Sequence, residues 1–267
     1  MTKGKKMKYI DAGINLFSNQ FSNKENVIKE ANNSDIGCIL ISNSMKEVHS
    51  NINFIKKHSK DEIGKNIRCT IGIHPHNAKN AVDADFETIK KLASSPSAVA
   101  VGECGLDYDR MFSDKKSQLL CFEKQIQIAE ELDLPLYLHE RAAVEDFIKT
   151  MKKHPDICKK SIVHCFTGKA AVLREYVNMG FHIGITGWIA DDARGKDLRK
   201  AVELLPLDRV IIETDSPFLK PKCIKDNNIN FPTNVPIVAR ELAKYMNCSE
   251  EELTSACLEN TLRLFRF

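Results

Sequence analysis

The stretch SIVHCFTG, residues 161–168, opens as a buried strand and then changes character. Ser161, Ile162 and Val163 suit a sheet interior, but His164 and Cys165 follow at once and the chain turns at Thr167-Gly168. Taken alone, His164 reads as a core histidine, a metal ligand or half of a redox pair, and core histidines are the commonest of the three. How the other apolar runs end decides between them.

Seven more such runs lie along the chain: KYIDAGINL (8–16), IGCILIS (36–42), RCTIGIH (68–74), AVAVGEC (98–104), PLYLHE (135–140), FHIGITG (181–187) and RVIIETD (209–215). Each is nearly continuous in apolar residues, as strands covered on both faces are. Amphipathic segments separate them. In SDKKSQLLCFEKQIQIAEELD (113–133), Leu119, Phe122, Ile126 and Ala129 recur three and four apart, with Ser113 or Asp114 as N-cap. Eight strands alternating with helices predict an α/β fold, a (β/α)8 TIM barrel. An open doubly wound sheet would carry a glycine-rich phosphate turn after its first strand, and GINLFSNQF (13–21) is not one.

The 267 residues are enough to bury a large core, and 43% hydrophobic with 28% charged residues is ordinary for a soluble protein. Residues 1–267 read as a single domain. The opening MTKGKKMK reads as a basic terminus, frayed through residue 7, in preference to a nucleic-acid arm. Lysine and arginine (39) barely exceed aspartate and glutamate (36), so charge identifies no partner. No run approaches the roughly twenty apolar residues of a membrane span, and no apolar leader opens the chain. The expectation is a monomeric cytoplasmic protein, with a nuclear one as the alternative. Nine cysteines without a C-x-x-C pair predict reduced thiols.

Barrels carry their chemistry where the strands end. Here the third run ends in His74-Pro75-His76, the fourth in Glu103, the fifth in His139-Glu140-Arg141, the sixth in His164 and the eighth in Glu213-Thr214-Asp215. Each has a bland explanation, but five on one rim do not. A buried ring of carboxylates and imidazoles is costly unless a cation satisfies it, and a divalent metal accepts both ligand types. His164 is therefore expected to be a ligand. Strand alternation would turn Cys165 outward against the helices, and Cys104 likewise, leaving neither a catalytic role.

The segments GIHPH (72–76), VGECGLDYDR (101–110), LPLYLHER (134–141), IVHCFTG (162–168), GFHIGITGW (180–188) and IIETDSPFL (211–219) together resemble the TatD-type metal-dependent deoxyribonucleases, in the same order and over nearly the whole chain. The resemblance implies an amidohydrolase-like barrel that hydrolyses DNA phosphodiesters from the 3′ end with divalent metal, Mg²⁺ first and Mn²⁺ or Zn²⁺ as alternatives, two ions per chain. It implies that Glu103 bridges two ions, that His139 and His164 hold one, and that Asp215 holds the other and accepts the proton of the attacking water. His74 would lie near the scissile phosphate. Glu213, which alternates with Asp215 on the strand, is expected to support the ligands. His76, Arg141 and Trp188 are candidate substrate contacts. Arg141 reads equally as half of a surface ion pair, and Trp188 as a ring packed beneath a loop.

Many relatives open with D-x-H-x-H, whose histidines hold the first metal. Here Asp11-Ala12-Gly13-Ile14-Asn15 has neither, as in the TatD branch proper. The expectation is a weak first site with Asn15 as a neutral oxygen donor, which Gly13→His with Asn15→His would tighten. RNA is a second candidate substrate. The rival readings are a hydrolase of another ester or amide bond, such as an aminoacyl ester, and a non-catalytic barrel that binds nucleic acid.

Overall fold

The computed structural model describes residues 7–225 and 229–267. Residues 1–6 of the expected frayed terminus lie outside the described residues, and its last residue, Met7, is not frayed but partly buried against the core. Eight strands form one sheet in chain order: β1 (Tyr9–Ile14), β2 (Ile36–Leu40), β3 (Ile67–Ile71), β4 (Ala98–Asp107), β5 (Leu136–Arg141), β6 (Ile162–Val163), β7 (His182–Ile185) and β8 (Val210–Ile212). Every neighbouring pair is parallel. The ring closes through a parallel bridge between Ile14 and Ser216, with Asp215 N donating to Gly13 O at 2.9 Å and Asn15 N to Ser216 O at 2.7 Å. This is the expected (β/α)8 barrel.

The helices between the strands are α1 (Lys24–Asn33), α2 (Met45–Lys57), α3 (Asp83–Ala93), α4 (Lys115–Leu132), α5 (Val144–Met151), α6 (Pro155–Cys158), α7 (Ala170–Met179) and α8 (Lys196–Val202). Beyond β8 come α9 (Val235–Ala243) and α10 (Glu250–Phe265). Asp114 caps α4 by accepting the Ser117 N–H, and Phe122, Ile126 and Ala129 are buried while Leu119 is partly so. Near the other end of the barrel, Asn260 of α10 donates to the carbonyls of Leu207 and Val210 at 2.7 and 2.9 Å, docking the helix beneath β8.

Most strands are shorter than the apolar runs suggest, so His74, His164 and Asp215 stand just past their strands. β4 is longer: it pairs with β5 as far as Asp107 opposite Arg141. Cys104 packs outward with Cys121 of α4, as expected. Cys165 does not. The backbone turns into left-handed geometry there, φ 48°, so strand alternation has already ended. Its thiol lies 3.8 Å from Thr186 Oγ1 on the site side. Burial, then the carboxylates of Asp215 and Glu213, push that thiol well above its ordinary range, which leaves it a poor nucleophile. None of the nine cysteines is in a disulfide.

Candidate active site

Glu103 is the centre of the rim. Its Oε1 lies 2.8 Å from His164 Nε2, 2.9 Å from His139 Nδ1 and 3.4 Å from His74 Nε2, so three imidazoles from three strands converge on one buried carboxylate oxygen. Burial opposes its ionisation, yet the charge of His164 and the bonds from the ring hold it well below the usual carboxylate range. Burial likewise pulls His164 down, but Glu103 and Glu213 more than offset this and hold it well above the usual imidazole range. His139 is raised as well, through bonds to Asp107 and Glu103 that outweigh burial. These carboxylates draw positive charge to one point, whether as protons on imidazoles or as a divalent cation. His74, Glu103 and His139 offer ligand atoms all within 4.8 Å of one another.

What lies behind each ring separates their chemistry. His164 Nδ1 faces Tyr137 Oη at 3.3 Å and Glu213 Oε2 at 3.5 Å, and Tyr137 in turn donates to Glu213 at 2.5 Å. A proton on Nδ1 is held there, so the proton that Nε2 shares with Glu103 is the one a cation would displace. His139 is backed by Asp107, 3.3 Å from its Nε2, which leaves Nδ1 toward Glu103. His74 is the reverse. Its Nδ1 accepts the His76 backbone N–H at 3.1 Å, and burial first of all lowers it to about 4, so the neutral ring carries its proton on Nε2, facing Glu103. In that tautomer the ring donates toward Glu103.

Two glutamines on one face of α4 fix this geometry. Gln125 binds both backbone groups of Ile73, at 2.8 and 2.9 Å, one residue before His74. Gln118 does the same for Asp107, also at 2.8 and 2.9 Å. Asp107 was missed by reading the fourth run as ending at Cys104. The signal was there: Glu103, Gly105 and Asp107 alternate on one face of a strand that continues. Its carboxylate binds His76 Nε2 at 2.7 Å, which turns His76 toward the site wall.

Asp215 is half-buried with φ 52° and takes the Asn15 amide N–H at 2.8 Å. Asn15 Oδ1 accepts from Asn43 at 2.9 Å, so its oxygen faces Asn43 and its N–H orients Asp215. In this arrangement Asn15 turns its N–H, and not its oxygen, toward Asp215. Burial, with help from Glu103 and Glu213, raises Asp215 to about 7. Beneath it, Asp11 ties β1 to the end of β8 by accepting Thr214 N–H at 2.8 Å and Thr214 Oγ1–H at 2.5 Å.

The motif repair by Gly13→His meets a steric obstacle. A Cβ on Gly13 would lie 2.8 Å from Glu213 Oε2 and 2.9 Å from Ile41 Cδ1, with the Tyr137 hydroxyl nearer still. The Tyr137–Glu213 pair occupies the volume a histidine would need. Arg141 is half-exposed and pairs with Asp109 at 2.8 Å, which is the ion-pair reading. Trp188 is partly buried against the core beneath Arg194, whose guanidinium lies 5.1 Å from the ring centre, which favours the packed-ring reading. Trp188 and Arg194 line a groove of about 510 Å³ past the ends of β7 and β8, together with Lys220, Lys222 and Lys225.

Residues 10–266 match the family of TatD-related DNases. The chain is 36% identical over 262 residues to the 3′-5′ ssDNA/RNA exonuclease TatD of Erwinia amylovora, covering 96% of this chain and 98% of that protein. In fold it is similar to the solved hydrolase TatD family protein of Entamoeba histolytica, with TM-score 0.85, 22% identity and coverage of 97% and 98%. It is similar too to the TatD homologue YJJV of Escherichia coli, with TM-score 0.86, 23% identity and coverage of 98% and 99%. With the motif order, the barrel and the rim of histidines around Glu103 all agreeing, the chain belongs to the TatD-related DNase family.

Proposed function

We propose that this chain is a metal-dependent 3′–5′ exonuclease acting on single-stranded DNA, and on RNA as a second substrate, in a reducing, cytosolic setting and as a monomer. The observation that carries the reading is the convergence of His74, His139 and His164 on one oxygen of Glu103. The relatives named as ssDNA/RNA exonucleases support the substrate class, and the nine free cysteines support the compartment.

The donor set fits divalent metal. Glu103, His139 Nδ1, His164 Nε2 and Asp215 would hold it, with Mg²⁺ first, Mn²⁺ or Zn²⁺ as alternatives, and two ions at full loading. Bound there, the metal supplies charge stabilisation for the phosphoryl oxygens and a water acidified for attack. Asp215, poised near neutrality, takes the water's proton. His74 donates its Nε2–H to a phosphate oxygen or to the leaving oxygen. Tyr137 and Glu213 keep the His164 proton on Nδ1, and Asp107 orients His139. The groove of Trp188, Arg194 and the three lysines offers the nucleic-acid backbone a cationic wall.

The test is digestion of 5′-labelled single-stranded DNA and RNA with Mg²⁺, beside an aminoacyl ester and a chelator control. A ladder shortening from the 3′ end, abolished by chelator, is expected. Faster turnover of the ester would favour the amidohydrolase-like reading, and binding without turnover the non-catalytic one.

A further inference from the structure

The opposite end of the barrel carries a second cluster that the chemistry above does not use. His182 opens β7, two residues before Gly184, whose Cβ would point at Glu213 and come within 3.1 Å of the His164 Cα. Alternation puts the His182 ring on that same interior face, at the far end from the catalytic rim. It is only 4% exposed, and neither ring nitrogen has a hydrogen-bond partner. Burying an imidazole with both nitrogens unpaired is costly, so this one stands out.

The ring lines a cavity of about 380 Å³ whose cations are Lys159, Lys160, Arg209, Arg263 and Arg266, against the carboxylates of Asp133 and Asp208. Asp133 is shared by Lys160 and Arg266, the latter at 3.0 Å. Lys159 pairs with Asp156 at 3.0 Å, outside the cavity. The two arginines are differently placed. Arg263 spends its NH2 on neutral acceptors, the Asp208 carbonyl at 3.0 Å and Asn260 Oδ1 at 2.6 Å. Arg209 NH1 donates to the Gly180 carbonyl at 3.0 Å, and its Nε meets Asp208 only at 3.7 Å. Positive charge here exceeds what the neighbouring carboxylates neutralise.

We propose that this floor cavity binds a small molecule bearing a phosphate monoester, held by Arg209, Arg263 and Lys160 with the His182 N–H at its inner end. A phosphate offers several acceptor oxygens to guanidinium forks and ammonium groups at once, which a carboxylate does with less charge. The cavity is of small-ligand size, larger than inorganic phosphate alone requires. Burial first, then the charges of Arg209 and Arg263, lower His182 to about 4, so the ring is neutral with one N–H to give. Its nitrogens are closed to bulk water. A ligand therefore reaches them by re-aiming the long basic side chains in front.

The test titrates the full chain, with chelator present to silence metal-dependent phosphate binding at the rim, using inorganic phosphate, a 5′-mononucleotide and chloride. The probes are calorimetry and the ring-nitrogen NMR signals of His182. Saturable binding is expected, with His182 signals moving for phosphate and mononucleotide but not for chloride. Arg263→Gln and Lys160→Gln should each weaken it about tenfold, the worth of one charged hydrogen bond. Hydrolysis of saturating DNA should be unchanged in both, which checks that they fold. Equal affinity for the two phosphate ligands identifies the phosphate group as what is read, and tighter nucleotide binding identifies the whole nucleotide. Still His182 signals at millimolar ligand, or wild-type affinity in both variants, overturns the proposal.

Discussion

Gly13→Ala is the smallest change that tests why this chain lacks the histidines of its relatives' first strand. The added methyl group would stand 2.8 Å from Glu213 Oε2 and 2.9 Å from Ile41 Cδ1, and closer to the Tyr137 hydroxyl. Ile41 can shift its chain end. Tyr137 and Glu213 cannot move apart without breaking their 2.5 Å hydrogen bond. Overpacking of this kind costs about 1–3 kcal/mol, and a loss of about 2 kcal/mol lowers the melting midpoint of a chain this size by on the order of 5 °C. Tyr137→Phe alone removes a hydrogen bond to a buried carboxylate, about 1.5–3 kcal/mol. In the double variant the nearest obstacle is gone, so the two costs should overlap by about 1 kcal/mol or more. Urea unfolding of the four proteins gives the cycle, and metal titration of the same four reads the site. Tyr137→Phe should also weaken metal binding about 10–100-fold, since His164 loses the group behind Nδ1. A Gly13→Ala protein as stable as wild type, or strictly additive costs, would refute the claim that Tyr137 and Glu213 fill the histidine's place.

Glu103→Ala should remain folded by circular dichroism and lose hydrolysis; more than about a tenth of the wild-type rate would count against a role worth several kcal/mol. His164→Ala should raise the metal concentration needed for activity while Cys165→Ser leaves turnover nearly untouched, and the opposite pattern would mean that the thiol takes part in the chemistry. His74→Gln should lower kcat with metal affinity retained; a matching loss of metal would make His74 a ligand, against the tautomer its Nδ1 bond imposes. Asp215 gives a pH signature. Its folded pKa of about 7 lies above the unfolded value of about 3.9, so the metal-free native state holds the extra proton and its stability falls as pH rises between them. Asp215→Asn should flatten that fall, and metal affinity of the wild type should climb over the same range; a fall unchanged in the variant would exclude Asp215 as its source.

The barrel and the rim residues Glu103, His139, His164 and Asp215 could be read from sequence because each sits at the polar edge of an apolar run. That edge is a one-dimensional signal. Asp107 sits past Gly105, whose φ of 137° and neighbouring aspartates look like a turn, yet the strand pairs on to Arg141. Gln118 and Gln125 look like the solvent side of an amphipathic helix. Both are buried, because they hold backbone groups at Asp107 and Ile73. Cys165 was misplaced by assuming that the strand alternates one residue further than it does. These were missed for one reason: what each side chain touches is decided by partners 11 to 52 residues away or by a local turn, and not by its neighbours in the chain.

The same point explains how one rim gives like residues unlike chemistry. His74 and His164 both aim Nε2 at Glu103 Oε1. Behind His164 stand an acceptor carboxylate and the Tyr137 oxygen, so a proton stays at the back and the forward nitrogen is the one that can give up its proton to a cation. Behind His74 stands a backbone N–H, so the lone pair stays at the back and the proton faces forward. Exchanging the two roles would need a different partner behind each ring, not a different ring. The Tyr137–Glu213 pair that fixes the His164 tautomer is also what fills the space above Gly13. The absence of strand-1 histidines and the backing of His164 are therefore one arrangement: with Tyr137 and Glu213 as they stand, a side chain at position 13 would collide with both.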